Sequence, residues 1–135
     1  MRKRVLLTIT AALSYMGAMA QQTAYCEILN FGASVGSKAQ ISFDFGRDGF
    51  GDLVDESGKR IKFQGSVDAL EYMSRLGWSL VSTYTLNMFK GTLNVPVVRF
   101  LLVKHTTSQD GKMNGIRTKE IAKKEKQPTD DGYGY

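Results

Sequence analysis

The sequence predicts an α+β domain: an antiparallel sheet in the order β-β-α-β-β, with one helix packed on one face. Three observations carry this. Lys38–Phe45 alternates apolar and polar residues at the strand period, and Ser66–Leu76 repeats at the helical period up to a glycine stop. Strand-like runs flank that helix on both sides, which fits two hairpins joined by a helix.

The chain opens with Met1-Arg2-Lys3-Arg4, then the apolar run Val5–Leu13, then the small-residue stretch Gly17-Ala18-Met19-Ala20. That is the layout of a secretory signal peptide, residues 1–20, with cleavage before Gln21. The apolar run is broken by Thr8, Thr10 and Ser14, and is shorter than the ~20 residues that span a bilayer, so no stable membrane anchor is expected. Lipidation at Cys26 is disfavoured by Tyr25 and Thr23 upstream, where small and aliphatic residues are wanted. The protein is therefore expected to be exported, periplasmic or secreted, in a bacterial context.

Cleavage leaves 115 of 135 residues, enough for one domain, placed at 21–105. It also removes Arg2, Lys3 and Arg4, leaving fifteen cations against 13 acids, a balance of +2. A nucleic-acid partner is not expected at so small a charge. A lone cysteine makes no internal disulfide, so Cys26 reads as a buried small hydrophobe, with an intermolecular disulfide or reactive thiol as the alternative.

Tyr25–Asn30 is the first predicted strand and Lys38–Phe45 the second, with Ala39, Ile41, Phe43 and Phe45 on the core face and Gln40, Ser42 and Asp44 on the other. Gly46–Gly58 reads as loop, and Arg60–Phe63 as a short extended piece. In the helix, Ser66 is the expected N-cap, and Asp68 and Glu71 suit the positive end of the dipole. Val67, Leu70, Met73 and Leu76 form its stripe, Gly77 ends it, and Trp78 folds back onto Met73. Trp78–Leu86 is the third strand, Asn87–Asn94 a loop, and Val95–Lys104 the last strand, with Pro96 at its start or on an edge. Residues 106–135 are polar, with charges balanced to +1, and read as a disordered tail.

The stretch Val67–Val81, with Leu76-Gly77-Trp78-Ser79-Leu80-Val81 at its end, resembles the L-N-x-L-G-x-x-G-W-E-L-V pattern of small DUF4177-type domains. Phe100–Lys104 resembles the basic-ended strand that closes them. Tyr25–Ile28 and Asp44-Phe45-Gly46 are similar to segments of exported Bacteroidetes proteins of unknown function. The likeness covers Tyr25 to Lys104 and implies a fold without an activity.

Candidate chemistry is sparse. Asp44, Asp48, Asp52, Asp55 and Glu56 crowd one glycine-rich loop, as calcium sites do. Gly46 stands where a third-position ligand belongs and Asp55 where a longer Glu is expected, and solvated turns favour the same residues. His105 is the sole histidine, and neither a serine-hydrolase elbow nor a paired-cysteine motif is present. No catalytic residue, metal site or cofactor is expected. The reading is a non-enzymatic binding or interaction module with a protein or glycan partner. Its partner surface is the free sheet face or an edge strand, lined by Leu80, Tyr84 and Leu86 or by Val81, Thr83 and Thr85. The alternatives are weak calcium or glycan binding through Asp44–Glu56 and, last, a hydrolase using carboxylates of that loop. The sequence leaves the oligomeric state open.

Overall fold

The described chain, residues 20–32 and 40–126 of a computed structural model, contains five strands and two α-helices. The strands are β1 (Gln22–Asn30), β2 (Ile41–Asp44), β3 (Phe50–Gly51), β4 (Ser79–Lys90) and β5 (Leu93–Thr106). The helices are α1 (Ser66–Arg75) and α2 (Lys119–Lys126), and short 3-10 turns occupy Gly46–Asp48 and Gln109–Met113. The α+β class and the antiparallel sheet stand as expected. The predicted signal peptide, residues 1–20, lies outside the described residues apart from Ala20.

The sheet runs β3-β2-β1-β5-β4, every neighbour antiparallel. The order along the chain is β-β-β-α-β-β-α rather than the expected β-β-α-β-β, because Phe50–Gly51 adds a fifth strand at the edge and a second helix follows β5. The two predicted hairpins join through β1, which pairs with β5 from Gln22↔Thr106 to Asn30↔Val98. Alternation along β1 sends Cys26 and Ile28 to one face, beside Leu102 and Phe100 of β5 and Phe43 of β2. There they meet Ala69 and Met73 of α1 in a core completed by Phe45, Leu53, Phe63, Trp78 and Ile116. Phe43 lies 5.4 Å from Phe63 and 6.2 Å from Phe45 between ring centroids, and Phe45 lies 6.4 Å from Trp78. Each such pair adds about 0.5–1.5 kcal/mol beyond area burial. Leu29, Ser42 and Val97 are buried as well, on the opposite face.

Helix α1 closes as expected. Gly77, at φ 90°, lets the Trp78 N–H reach Met73 O (3.1 Å) and the Gly77 N–H reach Ser74 O (3.0 Å), a Schellman arrangement. Its start differs. Gly65 is the cap residue; the Ser66 hydroxyl instead accepts from Asn30 Nδ2 at 2.7 Å, tying α1 to β1. No side chain caps the first-turn N–H groups; Asp68 Oδ2 accepts the Gln64 N–H at 2.9 Å, just ahead of the cap residue. The buried stripe also shifts from the expected one: Ala69 and Met73, one i,i+4 step apart, face the sheet, whereas Val67 is exposed.

Two further expectations are corrected. Asn87–Asn94 is not a loop, because β4 runs on to Lys90 and only Gly91 and Thr92 separate it from Leu93. Gly91, at φ 64°, occupies the first central position of this two-residue turn, where positive φ is required. Pro96 is tolerated because β1 ends at the Asn30↔Val98 pair, so no strand awaits the missing N–H. Nor is the chain disordered after Thr106. Ile116 and Thr118 are buried, Thr118 bridges Leu53, and α2 follows with Ala122 buried. Folded structure thus extends to Lys126, and 127–135 lie outside the described residues.

Candidate interaction surface

Strand β4 is the outer edge of the sheet, and all twelve of its residues are exposed. From Ser79 to Phe89 it carries no charge, no proline and no glycine; Lys90 is its only charged residue. Helix α1 lies against both β1 and β4 yet leaves every residue of β4 exposed. Between them lies a shallow groove lined by Leu70, Ser74, Trp78, Leu80 and Leu102. Beyond Val98 the β4–β5 ribbon leaves β1 behind and projects as a two-stranded arm tipped by Phe89 and Leu93, 78% and 67% exposed.

The turn sets which backbone groups face outward. A hydrogen-bonded Lys90–Leu93 pair closes the hairpin, and pairing alternates from there. Met88, Leu86 and Tyr84 therefore bond to β5, while Thr83, Thr85, Asn87 and Phe89 aim N–H and C=O away from the sheet. A bulge at Val81 interrupts the register between Leu80 and Ser82.

Alternation places Leu80, Thr83 and Thr85 on the α1 side and Ser82, Tyr84, Leu86 and Met88 on the other. On that second face a polar bridge crosses three strands. The Tyr84 hydroxyl donates to Glu27 Oε1, and Arg99 Nη1 donates to Oε2 at 2.7 Å. The bond to the Glu27 carboxylate raises the Tyr84 pKa above its ordinary value, because losing the phenol proton would set two negative charges together. This bridge anchors the middle of β4 to β5 and β1. No sequence pattern announces it, since its members stand 57 and 72 residues apart.

The loop carboxylates do not converge. Asp44 Oδ1 accepts the Gly46 N–H at 2.8 Å, Asp48 pairs with Lys112 at 2.8 Å, and Asp52 pairs with Arg60 at 3.2 Å. Asp55 Oδ1 accepts from the Ser57 N–H, the Ser57 hydroxyl and the Lys59 N–H at 2.6–2.9 Å. Each closes its own turn or ion pair, and among the described residues no three His, Cys, Asp or Glu side chains gather for a metal. The segment read as plain loop is also partly built: it holds a 3-10 turn, β3 and bridges at Leu53 and Val54. The C-terminal segment sews it down, with Lys112 Nζ also donating to Phe45 O at 2.6 Å and Val54 N–H to Arg117 O at 2.9 Å.

Cys26 and His105 lie on opposite faces: Cys26 stands with Leu102 in the core, while exposed His105 sits beside Thr23, its Nδ1 3.3 Å from the Thr23 hydroxyl. Burial pushes the Cys26 thiol up to about 12, so it is neutral at physiological pH. Among the described residues no helix is long and apolar enough to cross a membrane. No protein-family model, no curated protein and no solved structure matches this chain.

Proposed function

We propose that the protein is an exported, non-enzymatic interaction module that binds a protein partner along the edge of β4. The observation that carries this reading is a twelve-residue edge strand exposed along its whole length and uncharged over its first eleven residues. Folded proteins ordinarily blunt such an edge with charge, proline or a cover, because its free N–H and C=O groups template another strand. Strand addition would join main-chain bonds from Thr83, Thr85 and Asn87 to side-chain contacts on both faces. Dispersal of the loop carboxylates supports a binding role over a carboxylate-dependent reaction. Export rests on the N-terminal charge and apolar pattern, and the DUF4177 likeness rests on the Gly77-Trp78 helix stop.

The test is affinity capture from envelope extract with the wild-type chain and a Thr85→Pro variant. Proline at Thr85 removes an outward N–H that β5 does not use, so the fold should survive. A protein held by the wild type and lost with the variant is the expected result. Equal capture by both would overturn the edge as the binding surface.

A further inference from the structure

Resting on that reading, we infer that the strand occupying the β4 edge is β4 of a second copy, paired antiparallel about a two-fold axis at Thr85. An isologous contact requires a surface that complements itself. The outward-facing residues fix the possibilities, since Thr83, Thr85 and Asn87 must exchange bonds with outward-facing residues of the partner strand. Placing Thr85 opposite Thr85 of the second copy satisfies this and sets Thr83 against Asn87, twice. On the same face it brings Val81 toward Phe89, 57% and 78% exposed. On the other face Tyr84 stands opposite Leu86 twice, in the closer non-hydrogen-bonded pairs, with each Tyr84 hydroxyl held inward by its own Glu27.

Polar residues thus meet polar ones and apolar residues meet apolar ones at every position from 81 to 89 except Ser82 with Met88. Moving the axis to residue 84 would set Leu86 against Ser82 instead and lose both Tyr84–Leu86 contacts. No charge opposes the pairing, because the one cation of the strand, Lys90, falls at opposite ends of the two copies. A strand meant for a charged or basic partner would carry complementary charge, and this one carries none between 79 and 89. The bulge at Val81 lies at the end of the paired stretch and leaves Thr83–Phe89 regular. The product is a continuous ten-stranded sheet, with the Tyr84–Glu27–Arg99 bridge of each copy tying its own β4 to β5 and β1.

The experiment is sedimentation of the protein as cells process it, across the micromolar range, beside three variants at Thr85. Wild type should pass from monomer to dimer mass as concentration rises. Thr85→Pro should stay monomeric with an unchanged circular-dichroism spectrum and melting point. Thr85→Lys and Thr85→Glu should each be monomeric alone, and at low salt should form a one-to-one dimer when mixed, which misfolded chains would not do. A wild type that is monomeric throughout, a Thr85→Pro chain that dimerises normally, or a Lys–Glu mixture that fails to pair would overturn the inference. If wild type is monomeric but Thr85→Pro loses a captured foreign protein, the edge still binds and only the second copy is wrong. If neither dimerisation nor capture responds to Thr85→Pro, both readings fall.

Discussion

The sheet has two edges, and they are treated in opposite ways. At one, β3 is two residues long, preceded by a 3-10 turn and flanked by the Asp48–Lys112 and Asp52–Arg60 ion pairs. The chain beyond it is covered, because Leu53 pairs with Thr118 and Val54 bonds to Arg117. At the other edge β4 runs twelve residues, uncharged until Lys90, with only one bulge to interrupt it. Short length, charge and a cover are the usual protections of a strand edge. One chain applies all three at β3 and almost none at β4, and that contrast is what supports the pairing proposed for the second edge.

Large-to-small substitutions at the two ends should break this comparison most visibly. Phe43, 1% exposed, touches Phe45 and Phe63 in the core. Phe43→Ala should cost about 3–5 kcal/mol in chemical denaturation. Phe89→Ala, at the open end, should change stability by less than about 0.5 kcal/mol. A large cost at Phe89 in dilute monomer would mean that the arm is part of the core after all.

The covered edge should fail when its cover is loosened. Ile116 is buried in the same cluster as Leu53, and Ile116→Ala should cost about 2–4 kcal/mol. Gly115 sharpens the point. Its φ is 77°, and a Cβ there would lie 2.8 Å from Leu76 Cδ2, so Gly115→Ala should destabilise through both strain and overlap. Hydrogen exchange should then rise first at Leu53 and Val54 while β4 is unchanged. A chain ended at Thr107 that melts like the full protein would remove the contrast between the edges.

These regions also mark what the sequence makes legible. Helix α1 is readable because its signals are local: acidic residues early, Arg75 late, and Gly77 at the stop. The pairing of β1 with β5 joins residues some seventy to eighty positions apart, and nothing local specifies it. The C-terminal cover is missed because its anchors, Ile116, Thr118 and Ala122, stand singly in a polar run, and composition averages them away. The length of β4 is missed for a different reason. Asn87, Gly91 and Asn94 together resemble a loop, when only Gly91 turns. Of the candidate residues, the β4 positions are exposed but regrouped, because the bulge after Leu80 moves it from the expected set with Tyr84 and Leu86 to the face of Thr83 and Thr85. The loop aspartates prove to be four separate bonding sites.

Alkali probes the middle of the sheet. In the native chain the Cys26 thiol keeps its proton up to about 12, chiefly through burial, with Lys112 opposing and Asp44 and Glu27 adding to the shift. The unfolded thiol ionises near its ordinary value of 9.0, so above that pH the unfolded state has lost a proton the native state retains. Stability therefore falls as pH rises from about 9 toward 12, and Cys26→Ala should remove that part of the slope. A thiol reagent at pH 8 should label Cys26 only after denaturation; rapid labelling of native protein would show that the core opens there.

The smallest expected effect belongs to Asp55, at the tip of the protected end. Its pKa is lowered, first by the Ser57 hydroxyl and then by the Lys59 N–H, which donate to the ionised form. A depressed pKa stabilises the fold above the unfolded value and loses that stabilisation as pH falls through the folded value. Asp55→Asn keeps an acceptor oxygen for the same donors but not the charge, so it isolates the ionic part. The variant should melt slightly below wild type at neutral pH, and the two should converge in acid once Asp55 is protonated. Exposure to solvent keeps the difference small. Were the gap to persist unchanged at low pH, the turn would depend on carboxylate shape rather than charge, and the acidic loop would owe the packed end of the sheet nothing electrostatic at this position.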